Sequence, residues 1–270
     1  MNLTLRPPAV AGLFYPGERQ TLAREVAGLL PDATALPRQP KALIAPHAGY
    51  VYSGPTAGRV YAGLRAYRQT IRRVVLLGPT HRVAVRGLAV PTVKAFATPL
   101  GAIPIDQEAL AMVADLPQVI ASDQAHAQEH SLEVHLPFLQ QVLDDFTLVP
   151  FAVGQASPEA VAEVLERLWG GPETLIVVSS DLSHFHGYRE AQHLDQATCQ
   201  AILHLETHIH PEQACGAFPI NGLLLAARHH GLTARLIDLC NSGDTAGDKT
   251  RVVGYAAFAF SADNEEELHD

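Results

Sequence analysis

Cysteine, methionine and tryptophan are scarce in this chain of 270 residues, which has three, two and one of them. Cys199, Cys215 and Cys240 are odd in number, widely spaced and set in apolar surroundings. A disulfide framework or a zinc knuckle needs paired or closely spaced cysteines, so we expect reduced thiols. Structural burial is the expectation for all three, and a place beside a cleft is the alternative for Cys215.

Positive charge is also in short supply, since 19 Lys and Arg face 28 Asp and Glu and give a formal charge of −9. Nucleic-acid binding draws on clustered Lys and Arg, so no nucleic-acid partner is expected. The sequence lacks an apolar run of the roughly 20 residues that a membrane span needs. Residues 1–17 hold no run long enough for a signal peptide. We therefore expect a cytoplasmic protein without a membrane partner.

Hydrophobic residues make up 47% of the chain, and they form apolar runs that alternate with helical patterns. This alternation is typical of a three-layer α/β domain with a mainly parallel central sheet. We expect a single domain over residues 1–260, followed by an acidic C-terminal tail at 261–270. The predicted strands are Leu43–Ala45, Val74–Leu77, Leu148–Val153, Leu175–Ser179, Ala234–Leu239 and Val252–Phe260.

Helical spacing of apolar residues fills the intervals between these runs. Ala57, Val60 and Leu64 share one face, with Pro55 suited to a first helical turn. Ser157 before Pro158 is a typical helix start.

Histidines follow two of the predicted strands at equivalent points. His47 and His81 are flanked by Gly and Pro and lie about one βαβ step apart. His184 and Asp244 follow two further strands. Because open parallel sheets bind ligands beyond the carboxyl ends of their strands, we expect these side chains to share one cleft. Two His and one carboxylate form the facial triad of non-haem Fe(II) oxygenases, although imidazole also suits Zn and Cu, and Asp244 can instead cap a turn.

The stretch HAQEHSLEVHLP contributes further histidines and glutamates. His130 and His135 are five residues apart, which does not fit the zinc-protease patterns H-E-x-x-H and H-x-x-E-H. We expect one or two side chains of this stretch, His130 among them, to enter the cleft. The alternative is a helix start whose polar residues face outward. Pro137 is expected to kink or restart the helix.

Several blocks of the sequence together resemble the Memo family. They occur in order from Arg6 to about Phe260 and are AGLFYPG, APHAGYVYSGPTAG, LLGPTH, ATPLG, EHSLEVHLPFLQ, SSDLSHF, SGD and VVGYAAF. In prokaryotes such proteins are labelled AmmeMemoRadiSam system protein B. That label implies functional association with a radical-SAM protein and an AMMECR-type protein. The family is similar to the class III extradiol dioxygenases, so the resemblance implies a LigB-like architecture.

The resemblance also implies roles for individual residues. It makes His47 and His81 metal ligands and His184 an acid/base imidazole. Asp244 is the expected third ligand, in a segment where animal relatives are associated with a Cys. The alternative is a water, or no third ligand from the protein. Asp181, His130, Tyr15 and Tyr50 are expected beside the substrate or the ligands.

The cofactor that the resemblance implies is Fe(II), with Cu or Zn as alternatives. The expected function is that of a non-haem metal-dependent oxidoreductase of dioxygenase type. A non-catalytic module that binds a peptide or protein in the same cleft, and a metal-dependent hydrolase, are the alternatives. The occupant of the cleft is accordingly an unidentified small molecule or peptide.

Overall fold

The computed structural model describes residues 5–32, 36 and 38–262. Of the predicted acidic tail, 263–270 lie outside the described residues, and the two residues before them end the last strand. The strands are β1 (Leu5–Arg6), β2 (Ala42–Ala45), β3 (Arg73–Pro79), β4 (Leu88–Val90), β5 (Ala95–Thr98), β6 (Gly101–Pro104), β7 (Val119–Ala121), β8 (Thr147–Val153), β9 (Thr174–Ser179), β10 (His184–His186), β11 (Leu232–Asn241) and β12 (Val252–Ala262). The α-helices are α1 (Arg19–Leu29), α2 (Tyr50–Ala62), α3 (Gln107–Ala111), α4 (Asp123–Ala127), α5 (Leu136–Val142), α6 (Pro158–Arg167), α7 (Tyr188–Leu203) and α8 (Ala217–His229).

The main sheet has nine strands. Eight follow the order β10-β12-β2-β9-β3-β8-β4-β7, and the ninth, β11, pairs with β12 outside this order. The central strands β2, β9, β3 and β8 are parallel neighbours. A second, three-stranded sheet has the order β1-β5-β6. The fold is therefore α/β.

Alternate residues of the central strands enter two separate hydrophobic cores. On β2, Leu43 belongs to one core and Ile44 to the other. Residues of α1, α2 and α5 cover the first face, and residues of α6, α7 and α8 cover the second. Helices therefore lie on both faces of a sheet whose middle strands are buried, which is why those strands read as continuous apolar runs.

The expectation of a mainly parallel sheet needs correction, because the sheet is mixed. β12 is antiparallel to β2, β10 and β11, and β4 is antiparallel to β8. A parallel pair needs a long crossover, whereas β11 and β12 follow each other through a short connection and so form an antiparallel pair.

The helix starts agree with the sequence in one case and differ in another. Ser157 caps α6 by accepting the Ala160 N–H, as its position before Pro158 predicts. By contrast, α2 begins five residues before Pro55, which therefore lies inside the helix. Pro55 leaves the carbonyl of Val51 without its helical partner, and Val51 is 62% exposed, so water can take that place. No helix in the described ranges is long and apolar enough to span a membrane.

Candidate metal centre

Three histidines converge at the carboxyl ends of the central strands. His47 lies two residues beyond β2, and His81 lies two residues beyond β3. His130 joins them from the turn that follows α4. One ligand nitrogen from each ring lies within 4.8 Å of the other two, so this group is able to hold a metal ion.

The three rings form a compact arrangement that is buried on one side. The rings of His81 and His130 stack, with 4.7 Å between centroids and 23° between planes. His47 meets both edge-on, at 5.2 and 5.4 Å. The His47 side chain is 2% exposed and that of His81 is 31% exposed, so His47 forms the floor of the cluster and His81 faces the opening.

Hydrogen bonds determine which nitrogen of His47 faces the cluster. The Ser179 hydroxyl donates to the Ser131 carbonyl at 2.6 Å, so its oxygen must accept from the His47 Nδ1–H, also at 2.6 Å. A neutral imidazole carries one N–H, which leaves the Nε2 lone pair of His47 available to a metal.

Glu129 holds the other two histidines in place. Its carboxylate accepts the backbone N–H of His81 at 2.6 Å and faces His81 Nδ1 at 2.8 Å. It also lies 3.4 Å from His130 Nδ1 and accepts the N–H groups of His130 and Ser131. Burial opposes its charge, but these hydrogen bonds prevail and lower the pKa of Glu129 to about 2. A buried carboxylate on the distal ring nitrogen is a common support for histidines that bind metals.

Burial also keeps the imidazoles of His47 and His130 neutral. Burial, followed by the charges of nearby histidines, lowers the pKa of His47 well below its usual value. Burial is again the main reason that the pKa of His130 falls to about 4, and the Arg82 charge contributes. Neutral imidazole is the form that binds metals.

A thiol and a carboxyl group lie against the lone pair of His47. Cys215 Sγ is 3.3 Å from His47 Nε2 and accepts the backbone N–H of Asp181. The Asp181 carboxyl accepts the backbone N–H of His47 at 2.7 Å, and burial raises its pKa to about 7 despite that bond. Burial likewise raises the pKa of the Cys215 thiol. Cys215 therefore lies beside the cleft and is not a buried structural thiol.

Asp244 does not belong to this group. It ends a short 3₁₀ turn, where its carboxylate accepts the Asn241 N–H at 3.0 Å and the hydroxyl of Tyr188. The reason is the strand order, because β12 lies between β2 and β11 and separates these two strands by two strand spacings, about 10 Å across the sheet. Cys240 lies with Asp244, and its sulfur is 3.1 Å from the Thr56 hydroxyl.

His184 lies at the border of the cluster, on β10. Burial lowers the pKa of His184. A hydrogen bond to the Leu182 backbone opposes this shift, and the charge of His81 adds to it. The Asp181 carboxyl, three residues before His184 in the sequence, accepts the backbone N–H of His47.

Tyr15 and Tyr50 support the segment that carries His130. The Tyr15 hydroxyl donates to Glu133 at 2.6 Å, and the Tyr50 hydroxyl donates to the Val134 carbonyl at 2.7 Å. Both rings are almost completely buried. They therefore fix the backbone beside the cluster.

The sequence patterns do not identify Glu129 as the common support, and they do not group His130 with His47 and His81. Helical spacing does not describe the stretch HAQEHSLEVHLP, because α4 ends at Ala127 and α5 starts at Leu136. The turn between them places Glu129 and His130 side by side at the cluster. Pro137 lies in the first turn of α5, in agreement with a restarted helix.

Comparison with known proteins gives matches over nearly the full length. A MEMO1 family protein from Archaeoglobus fulgidus is 36% identical over 273 residues, covering 95% of this chain and 99% of that protein. One from Aquifex aeolicus is 35% identical over 271 residues, covering 96% and 100%. One from Ignicoccus hospitalis is 33% identical over 285 residues, covering 96% and 99%.

A solved structure is similar in fold. It is the crystal structure of uncharacterized protein JW3007 from Escherichia coli K12, with a TM-score of 0.53 and 15% identity over 82% of this chain and 99% of that one. At this identity the likeness concerns the α/β fold alone. The family model described as Memo-like protein matches residues 6–259, and the chain therefore belongs to the Memo-like family.

Proposed function

We propose that this protein is a metal-dependent oxidoreductase that binds a first-row metal, Fe(II) before Cu or Zn, at His47, His81 and His130. The observation that carries the proposal is the group of three imidazole ligand atoms within 4.8 Å of one another. Imidazole is a ligand for Fe, Cu and Zn alike, so the donor set fits a metal of this class. The paired support by Ser179 and Glu129 directs the ligand nitrogens toward one point.

Cys215 is a further donor within reach. Its sulfur lies against the Nε2 lone pair of His47, at the buried side of the cluster. A buried thiolate without a positive partner is unfavourable. Because metals bind the deprotonated form of cysteine, a metal held by Cys215 would offset this cost. Asp181 is the neighbouring proton acceptor, with its carboxyl 4.0 Å from the same Nε2.

The relationship to class III extradiol dioxygenases is part of this proposal. It is supported by histidines placed beyond two parallel strands, β2 and β3, that flank a third. When bound, a redox-active metal would supply electron transfer to or from the substrate. His184, half-buried at the border of the cluster, is the proposed proton carrier, because a positioned imidazole typically contributes about 10² to 10⁴ in rate.

Metal content measured on protein purified without a His tag tests the proposal. His47→Ala and His81→Ala are each expected to abolish binding of Fe(II) and Zn(II), while His130→Ala and Cys215→Ser decide which side chain is the third ligand. Asp244→Asn is expected to retain the metal, because its carboxylate is used in the turn. His193→Ala, an exposed histidine on α7, is the matched control. Full metal content in both His47→Ala and His81→Ala would refute the proposal and favour a binding module.

A further inference from the structure

A cavity of ≈ 800 Å³ adjoins the histidine cluster. His81 and Cys215 form the part of its wall that belongs to the metal centre. Val83 and Phe218, both partly exposed, add apolar side chains to its lining. The cavity therefore has the size of a small-molecule site and combines a polar end with an apolar wall.

Two arginines give this cavity a charge opposite to that of the whole chain. Arg82 and Arg86 line it together, and its lining contains no carboxylate, although the chain carries a net charge of −9. Within the described ranges neither arginine takes part in an ion pair, whereas Arg68, Arg73 and Arg167 each pair with an aspartate. The two guanidinium groups at the cavity therefore have their charge available for a ligand.

Backbone contacts hold the segment that carries these arginines. The Gln155 N–H donates to the Val85 carbonyl at 2.9 Å, and the Gly87 N–H donates to the Gln155 carbonyl at 2.9 Å. A Cβ added at Gly154 would lie 1.9 Å from the Val85 carbonyl oxygen, so only glycine permits this close approach. The position of Arg86 is consequently set by the end of β8.

The nearby buried carboxyl groups do not compete for the arginines. Glu129 is occupied by the N–H groups of His81, His130 and Ser131, and Asp181 accepts the His47 N–H. Both are almost completely buried. The charge that faces the cavity is thus that of the arginines and of any metal at the histidines.

We infer that the cavity binds a small organic acid, with its carboxylate paired to Arg82 and Arg86 and its apolar body against Val83 and Phe218. Guanidinium groups bind carboxylates through two parallel hydrogen bonds, which gives both affinity and orientation. The other end of such a ligand reaches His81 and Cys215. The inference names the substrate class of the proposed oxidoreductase and rests on that function for its catalytic meaning, but the binding step itself requires no metal.

Matched pairs of ligands test the charge requirement. Benzoate, 3-phenylpropionate and hexanoate are titrated against the isotope-labelled full chain, each beside its neutral primary amide, and amide NMR shifts of residues 80–86 are followed. The acids are expected to shift these signals and to bind about tenfold or more tightly than the amides, because a charge-assisted pair is lost in the amide. Equal binding of acids and amides, or no binding of any acid, would overturn the inference.

Variants then locate the site. Arg82→Gln combined with Arg86→Gln is expected to weaken acid binding about tenfold or more, while Arg235→Gln, an exposed arginine on β11, leaves it unchanged. Unchanged binding in the double variant would also overturn the inference. His47→Ala separates the two proposals, since acid binding by this metal-free variant supports the cavity assignment alone. Metal binding by the wild-type chain without a preference for acids over amides would instead support the metal centre alone.

Discussion

Two buried histidines outside the cluster of His47, His81 and His130 should make the fold sensitive to mild acid. His126 is 2% exposed and faces the Ala89 carbonyl through Nε2 at 2.8 Å, while its Nδ1 has no hydrogen-bond partner. His135 is fully buried, bonds the Tyr61 hydroxyl through Nδ1 and has no partner at Nε2. Protonation of either ring would bury a charged N–H without an acceptor, which is strongly unfavourable.

The magnitude follows from the lowered pKa values. Burial lowers the pKa of His126 to about 4 and that of His135 to about 3, from an ordinary value of 6.5. Below pH 6.5 the unfolded chain therefore binds more protons than the folded chain, and stability falls with pH until the folded rings also titrate. At pH 5, about 1.5 pH units below the ordinary value, each ring reduces the free energy of unfolding by about 2 kcal/mol. The pair removes about 4 kcal/mol, a large share of the 5–15 kcal/mol typical of a domain.

Urea unfolding of metal-free protein at pH 7 and pH 5 measures this effect. His126→Gln and His135→Gln are each expected to reduce the difference between the two free energies of unfolding by about 2 kcal/mol, because glutamine does not titrate. His193→Gln is the control, since that ring is exposed and should leave the difference unchanged. If both buried-site variants keep the wild-type difference, protonation of these rings does not govern acid stability.

Two further predictions concern proton transfer and helix packing. His184→Gln should retain bound metal and thermal stability but lose most turnover in an oxygen-uptake screen; reduced stability with unchanged activity per folded molecule would instead assign the ring a structural role. Gly58→Ala should destabilise the fold by about 1–3 kcal/mol, because its Cβ would lie 2.0 Å from the Leu29 carbonyl oxygen at the α1–α2 contact. Gly28 lies in α1 with open space around a Cβ, so Gly28→Ala should instead stabilise the fold by about 0.5–1 kcal/mol. Urea unfolding measures both changes, and equal effects of the two would contradict the packing argument.

The central strands could be predicted from sequence because burial on both faces leaves continuous apolar runs. Leu43–Ala45, Val74–Leu77 and Leu175–Ser179 all lie within strands of the parallel centre. Their neighbours could not be assigned in the same way. The run Val252–Phe260 is equally apolar, and nothing in its composition distinguishes an antiparallel strand that pairs with three others from a parallel one.

The same limit applies to the candidate site. The sequence places His47 and His81 at equivalent points of successive βαβ steps, and the structure brings both rings together. Asp244 also follows a strand end, but its distance from the histidines depends on the strand order, which local patterns do not contain. Cys215 lies two residues before α8 and 168 residues along the chain from His47, so its contact with that ring depends on tertiary packing.

The position of His130 depends on contacts that span more than a hundred residues of sequence. Glu133, three residues further on, accepts the Arg6 guanidinium at 2.7 Å, the Val10 N–H at 3.0 Å and the Tyr15 hydroxyl at 2.6 Å. Removal of one partner from such a buried pair typically costs about 3–5 kcal/mol, so the segment is held firmly to the N-terminal residues. The third imidazole is thus supplied by a turn that the N-terminal segment fixes in place, and spacing within HAQEHSLEVHLP has no bearing on it.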